Sequence, residues 1–219
     1  MMHVYFVPGM AADVSIFEYI QLPEDRYTMH TIPWKIPAKN ETLKQYAKRM
    51  CQEIKHTDIV LVGVSFGGVV VQEMSKFVTV QKLIIISSVK SKFELPKRMR
   101  FVKKTGLYKF LPTGLVAKVK NWDALAVGEF AKKRAAMYQK YLSLNNKQYL
   151  DWAIKNMVCW DQETPPKGIV HIHGDSDIIF PIENIKGCII IPKGTHVMII
   201  KRSKWFNKHL PEIIEKDLR

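Results

Sequence analysis

Cysteine is scarce in this chain, acids are outnumbered, and no long uninterrupted apolar run is present. The three cysteines, Cys51, Cys159 and Cys188, are odd in number and widely spaced. That excludes a disulfide framework and points to a reducing, cytoplasmic setting. The longest apolar stretch, residues 59–71, is broken by Gly63, Gly67 and Gly68 and is too short to span a bilayer. The opening MMHVYFVP carries neither a basic leader nor a small-residue cleavage site, so a strand is expected there rather than a secretory signal. Internal repeats and low-complexity segments are also missing. A hydrophobic fraction of 47% and a charged fraction of 25% over 219 residues suit one globular domain, with room for an insertion.

The shortage of acids is uneven. Residues 90–150 hold fifteen Lys or Arg against Glu94, Asp123 and Glu129, so about +12 of the net +14 sits there. A solvated helical face is the plainer account of such a run. The same field would steer acidic substrates or meet an anionic lipid surface. Nucleic acid is not expected as a partner, because no aromatic-interleaved binding motif accompanies the charge.

Strand and helix patterns alternate on either side of that basic segment. Strands are expected at 3–7, 26–32, 59–64, 82–88, 168–174 and 188–192. A helical turn or two is expected at 13–20, and helices at 41–54 (with Asn40 as cap), 66–77 and 203–216. Between 90 and 160 no strand pattern is convincing. Basic helices fit there instead, most clearly at 123–142 and 147–157. Near-continuous apolar strands separated by helices predict an α/β three-layer sandwich with a mostly parallel sheet of about six strands. The core would comprise 1–89 and 161–219, and residues 90–160 would form a helical cap. Ligands in such sheets lie beyond the carboxyl ends of the strands.

One turn at that end stands out. The apolar run at 59–62 meets Gly63-Val64-Ser65-Phe66-Gly67-Gly68 and becomes apolar again. Gly-x-Ser-x-Gly between a strand and a helix is the nucleophile-elbow pattern. The serine is held in a strained conformation, the flanking positions must be small, and the Oγ is exposed at a helix N-terminus. A plain Gly-rich turn or a phosphate loop would share part of this pattern. A phosphate loop needs Gly-Lys-Ser/Thr, and no Lys lies between Ile59 and Ser75. No cofactor is expected.

A serine hydroxyl needs a general base, and the base needs an orienting carboxylate. In this architecture the chain order is Ser, acid, His. Residues 173–181, His-Gly-Asp-Ser-Asp-Ile-Ile-Phe-Pro, place acids after a late strand, and Gly194-Thr195-His196 follows the last one. Gly-x-Ser-x-Gly-Gly at 63–68, His-Gly-x-x-Asp-x-x-x-Pro at 173–181 and Gly-x-His at 194–196, in that order, resemble the α/β-hydrolase superfamily over the full length. The resemblance implies Ser65 as nucleophile, Asp177 as acid and His196 as base. It also implies an oxyanion hole from the backbone N–H of Phe66 and Met10, and a strand order of 2-1-3-4-5-6. Pro8-Gly9 stands where the family commonly has His-Gly, and the Asp-x-x-x-Pro spacing favours Asp177 over Asp175.

The activity implied is cleavage of a small-molecule carboxylic ester or thioester through an acyl-enzyme. C–C bond hydrolysis, amide or peptide cleavage and acyl transfer use the same residues, and a non-catalytic binding protein of this fold is the alternative from another class. The pair His171-x-His173 resembles part of a dinuclear metal motif, but Ser176 stands where a further histidine belongs, so no metal site is expected. His3, His30, His56 and His209 read as single structural or solvated histidines.

Overall fold

Two central strands with no polar alternation need cover on both faces, and that requirement organises the molecule. The computed structural model describes residues 1–113, 140–142 and 144–216. Its strands are β1 (Met2–Val7), β2 (Tyr27–Thr31), β3 (Ile59–Val64), β4 (Lys82–Ile86), β5 (Val170–Gly174) and β6 (Ile189–Ile191). They form one sheet in the order β2-β1-β3-β4-β5-β6, and every neighbouring pair is parallel. Every residue of β3 and β4 is buried. Burying one such Val, Leu or Ile stabilises the fold by about 1.5–3 kcal/mol relative to exposure.

Side chains alternate across the sheet and sort into two apolar layers. Tyr5, Val7, Ile59, Leu61 and Ile85 pack on one face, under α1 (Leu43–Met50) and α2 (Phe66–Met74). Val4, Phe6, Val60, Val62 and Ile84 pack on the other. There they meet a 3₁₀ turn at Val14–Phe17 capped by Asp13, whose carboxylate accepts the Ser15 N–H.

Helix ends show where side-chain chemistry overrode periodicity. Helix α1 starts at Leu43, not at residue 41, and Thr42 rather than Asn40 caps it. Thr42 Oγ1 accepts the Gln45 N–H at 3.2 Å and Gln45 Oε1 accepts the Thr42 N–H at 2.9 Å. That reciprocal pair satisfies two otherwise orphaned donors, whereas Asn40 sits before it at φ 60°. The helix gives way to a 3₁₀ turn at Cys51–Glu53. Helix α2 stops at Met74, short of residue 77, where the Ser75 hydroxyl donates to the Gln72 carbonyl and the Phe77 N–H to Met74.

The basic segment contributes α3 (Lys97–Thr105), closed by Gly106 at φ 72°, and α4 (Lys147–Cys159), capped by Asn146. The helix expected at 123–142 lies outside the described residues except for 140–142. Lys92 N–H donates to the Gln162 carbonyl at 2.7 Å, and the Gln162 amide donates to the Lys90 carbonyl at 2.9 Å. The segment thus leaves and rejoins the sheet layer at one place. Tyr149, Ala153 and Met157 of α4 share the apolar layer of Leu61 and Val70. The chain closes with α5 (Met198–Lys201) and α6 (Ser203–Glu215). Among the described residues no helix is long and apolar enough to cross a membrane.

Candidate active site

Ser65 sits between β3 and α2 at φ 53°, ψ −119°, a conformation that costs a non-glycine residue about 1–3 kcal/mol. The neighbours show why the turn takes this form. A Cβ on Gly63 would lie 2.3 Å from the Gly67 carbonyl oxygen, and one on Gly67 would lie 2.3 Å from that of Pro8. Larger residues would push the strand, the helix and the first loop apart. Three bonds hold the strained residue: Ser65 N–H donates to the Ile86 carbonyl, and the Ser88 hydroxyl and Gly68 N–H donate to the Ser65 carbonyl, at 2.9, 2.7 and 2.9 Å respectively.

The loops after β5 and β6 meet the elbow. Gly174 and Gly194 touch so closely that a Cβ on Gly174 would fall 2.1 Å from the Gly194 oxygen, and Ser176 N–H donates to that oxygen at 2.9 Å. Asp177 Oδ1 accepts the N–H groups of Ile179 (2.8 Å) and Phe180 (3.0 Å). Its Oδ2 accepts His196 Nδ1–H at 2.8 Å. Because a carboxylate only accepts, the neutral ring carries its proton on Nδ1. Nε2 then accepts Ser65 Oγ–H at 2.9 Å. Ser65, His196 and Asp177 are therefore brought into one hydrogen-bonded line.

Electrostatics keep the acid ionised. Burial pushes the Asp177 carboxyl up, but the His196 hydrogen bond and charge, together with the two backbone donors, outweigh it and hold it below the usual range. Asp175 stays outside this line. It is exposed, and its carboxylate accepts the Ser176 hydroxyl at 2.9 Å.

The first loop lies against the elbow, with the Gly9 Cβ position 3.5 Å from Ser65 Cβ. Met10 follows directly, and the Phe66 N–H opens α2 beside Ser65. Among the described residues neither N–H has a backbone acceptor in the loops and turns. Trp34 Nε1–H donates to the Gly9 carbonyl at 2.8 Å and the indole stacks on Phe66 at 5.6 Å. It anchors the loop that contains Pro8 and Gly9.

Sequence reasoning missed Trp34, Ser88 and the part taken by His173. His173 Nε2–H donates to the Phe180 carbonyl at 2.8 Å and its Nδ1 lies 3.1 Å from His171 Nε2, so this pair braces the Asp177 turn from beneath. No local pattern marks Trp34. The i, i+2 spacing of the two histidines does mark a shared strand face. Cys51 and Cys188 offer no competing nucleophile: burial pushes Cys51 up to about 11 and Cys188 upward, the latter with Lys90 opposing and Glu94 adding to the effect.

No family model and no curated protein matches the sequence. Solved structures do match over nearly the whole chain. A bromoperoxidase from Bacillus anthracis superimposes with TM-score 0.69 at 17% identity, covering 98% of this chain and 92% of its own. An epoxide hydrolase from Bacillus megaterium gives 0.71 at 15%, covering 99% and 94%. An esterase from Exiguobacterium antarcticum gives 0.64 at 17%, covering 99% and 92%. The chain has the α/β-hydrolase fold, and identities this low establish the fold alone.

Proposed function

We propose that this protein is a serine hydrolase that cleaves a carboxylic ester or thioester through Ser65, His196 and Asp177. One observation carries the reading: a strained serine at a helix N-terminus lies 2.9 Å from an imidazole whose other nitrogen lies 2.8 Å from a buried carboxylate. His196 Nε2 takes the Ser65 proton as Oγ attacks the substrate carbonyl carbon. The carbonyl electrons move to oxygen, which accepts the N–H groups of Phe66 and Met10. The tetrahedral species collapses, His196 protonates the departing alkoxide or thiolate, and an acyl-serine remains. Water deprotonated by His196 repeats the sequence and releases the acid.

The esterase neighbour supports this reaction class. The epoxide hydrolase neighbour suggests another, but resembling enzymes of that kind open the ring with a carboxylate nucleophile, and here serine occupies the elbow. The same three residues also serve C–C bond hydrolysis, amide or peptide cleavage and acyl transfer.

Residues 90–160 act in this reading as a cap whose positive charge selects the partner, either an acidic ester or an anionic lipid surface. Supporting this, α3 carries five Lys or Arg in nine residues, and Arg98 donates to the carbonyls of Ile178 and Ile179, just past Asp177.

A fluorophosphonate probe tests the central assignment. The wild type labels at one site, the Ser65→Ala variant does not, and strong labelling of the variant would overturn the proposal.

A further inference from the structure

Three histidines that look unrelated in sequence come together on the β2 side of the sheet, away from Ser65. His3 lies near the start of β1 and His30 is in β2. His56 precedes β3. Parallel pairing sets Tyr5 opposite His30 and His3 opposite Ile59, which draws the three rings into one cluster. His3 and His56 stack with centroids 3.4 Å apart, and His30 lies 5.2 Å from His3 and 5.0 Å from His56. One ring nitrogen from each lies within 4.8 Å of the other two.

We propose that His3, His30 and His56 form a binding site for a divalent transition ion of the Zn²⁺, Cu²⁺, Ni²⁺ or Co²⁺ class. Three imidazoles with no carboxylate among them suit these borderline ions and not Mg²⁺ or Ca²⁺, which require oxygen ligands. His3 Nδ1 and His30 Nε2 already stand 3.0 Å apart. Two nitrogens bound at about 2.0–2.1 Å on a tetrahedral ion are separated by roughly 3.3 Å. When the ion enters, the ring that now donates changes tautomer and carries its proton on its other nitrogen, so that both ligate as neutral imidazoles.

An outer contact is also in place. Tyr5 Oη lies 2.6 Å from His56 Nδ1 and accepts the Lys55 N–H at 3.1 Å. A partner on Nδ1 orients the ring and leaves Nε2 for the ion, as outer partners of metal-bound histidines do. His56 is exposed, so its ring can tilt from the stacked arrangement toward a shared ion, and water would fill the fourth position. An ion here would tie β1, β2 and the segment entering β3, at the opposite end of β1 and β3 from Ser65.

The test uses the full chain free of any polyhistidine tag. Zn²⁺ is titrated calorimetrically, and thermal unfolding is followed with Zn²⁺ and with chelator. One ion per chain and a higher Tm that chelator reverses are expected. Ester hydrolysis is unchanged, so the outcome is separate from that of the serine assignment. His56→Ala, with His56→Gln as the alternative should the first not fold, weakens binding more than about tenfold, since loss of even an outer partner costs that much. His209→Ala, remote on α6, leaves it intact. Absence of stoichiometric binding by wild type, or binding that survives the His56 substitutions, would overturn the proposal.

Discussion

His171 shows what burial does to a single ionisable residue. Its ring is 2% exposed. Burial first, then the charges of His173 and Lys90, push its pKa down to about 2, against the opposing pull of the Ser88 backbone as an acceptor for the ring; its ordinary value is 6.5. The folded protein therefore keeps the ring neutral while the unfolded chain protonates below pH 6.5. Stability from this group is fully present above pH 6.5. It falls by about 1.4 kcal/mol for each pH unit below that, until the folded pKa is reached. Urea unfolding of His171→Asn should accordingly show lower stability at pH 7.5 and a shallower loss between pH 6 and 5 than wild type. Parallel slopes would show that the ring is not held neutral. Legibility in the sequence divides along the same line between local and distant causes. The elbow at Ser65 was readable because its pattern lies within five residues, Gly63 to Gly67, even though the clash that keeps Gly67 small is with Pro8 in the first loop. The acid and base were readable because strand order fixes where they must fall. The meeting of His3, His30 and His56 was not, since it depends on strand register and on a loop, neither of which leaves a local mark.

Among elements, the first loop is the one whose position matters most for the proposed chemistry. It has no regular structure of its own and contains Ala11 at φ 62°, so contacts from elsewhere must hold it. Trp34 supplies one, its indole N–H on the Gly9 carbonyl, and the Leu144 N–H on the Ala11 carbonyl at 3.1 Å supplies another. The same indole belongs to an aromatic group with Tyr46, Phe66 and Tyr149. Trp152 of α4 joins that group through Tyr46 and Phe66. Trp34→Phe preserves most of this packing and removes the hydrogen bond, whose net worth is about 0.5–1.5 kcal/mol. If the loop presents the Met10 N–H to an oxyanion, kcat for an aryl ester should fall roughly threefold to tenfold with KM little changed. An equal loss in thermal stability with kcat intact would mark the indole as packing only. The strands themselves were legible to within two residues at each end. Helix ends were less so, because Thr42 with Gln45 and Ser75 with Gln72 override the hydrophobic period.

At the scale of the whole molecule, charge is the feature that neither the sheet nor the site explains. The net +14 opposes compactness by self-repulsion and sets up a field that can steer an anionic partner. Part of it is visibly organised. Lys97, Arg98, Arg100, Lys103 and Lys104 are all exposed on α3, and Arg98 fixes that helix to the turn that follows Asp177. Phe101 at 60%, Phe110 at 80% and Ile178 at 68% exposure lie on or beside the same element. Exposed aromatic and aliphatic side chains among lysines and arginines match the chemistry of an anionic lipid surface, where each basic residue near the headgroups contributes about 1 kcal/mol. Co-sedimentation should therefore recover the protein with vesicles containing phosphatidylserine and not with purely zwitterionic ones. The attraction should weaken sharply as the Debye length contracts from about 10 Å at 0.1 M salt toward 3 Å at 1 M. Replacing Arg100 and Lys104 with Glu should reduce recovery while leaving hydrolysis of a small soluble ester unchanged, since neither residue contacts the Ser65 line. Absence of sedimentation at low salt would remove the lipid surface and leave an acidic soluble ester as the partner. In that case kcat/KM for an anionic ester, and not for its neutral analogue, should fall as salt rises.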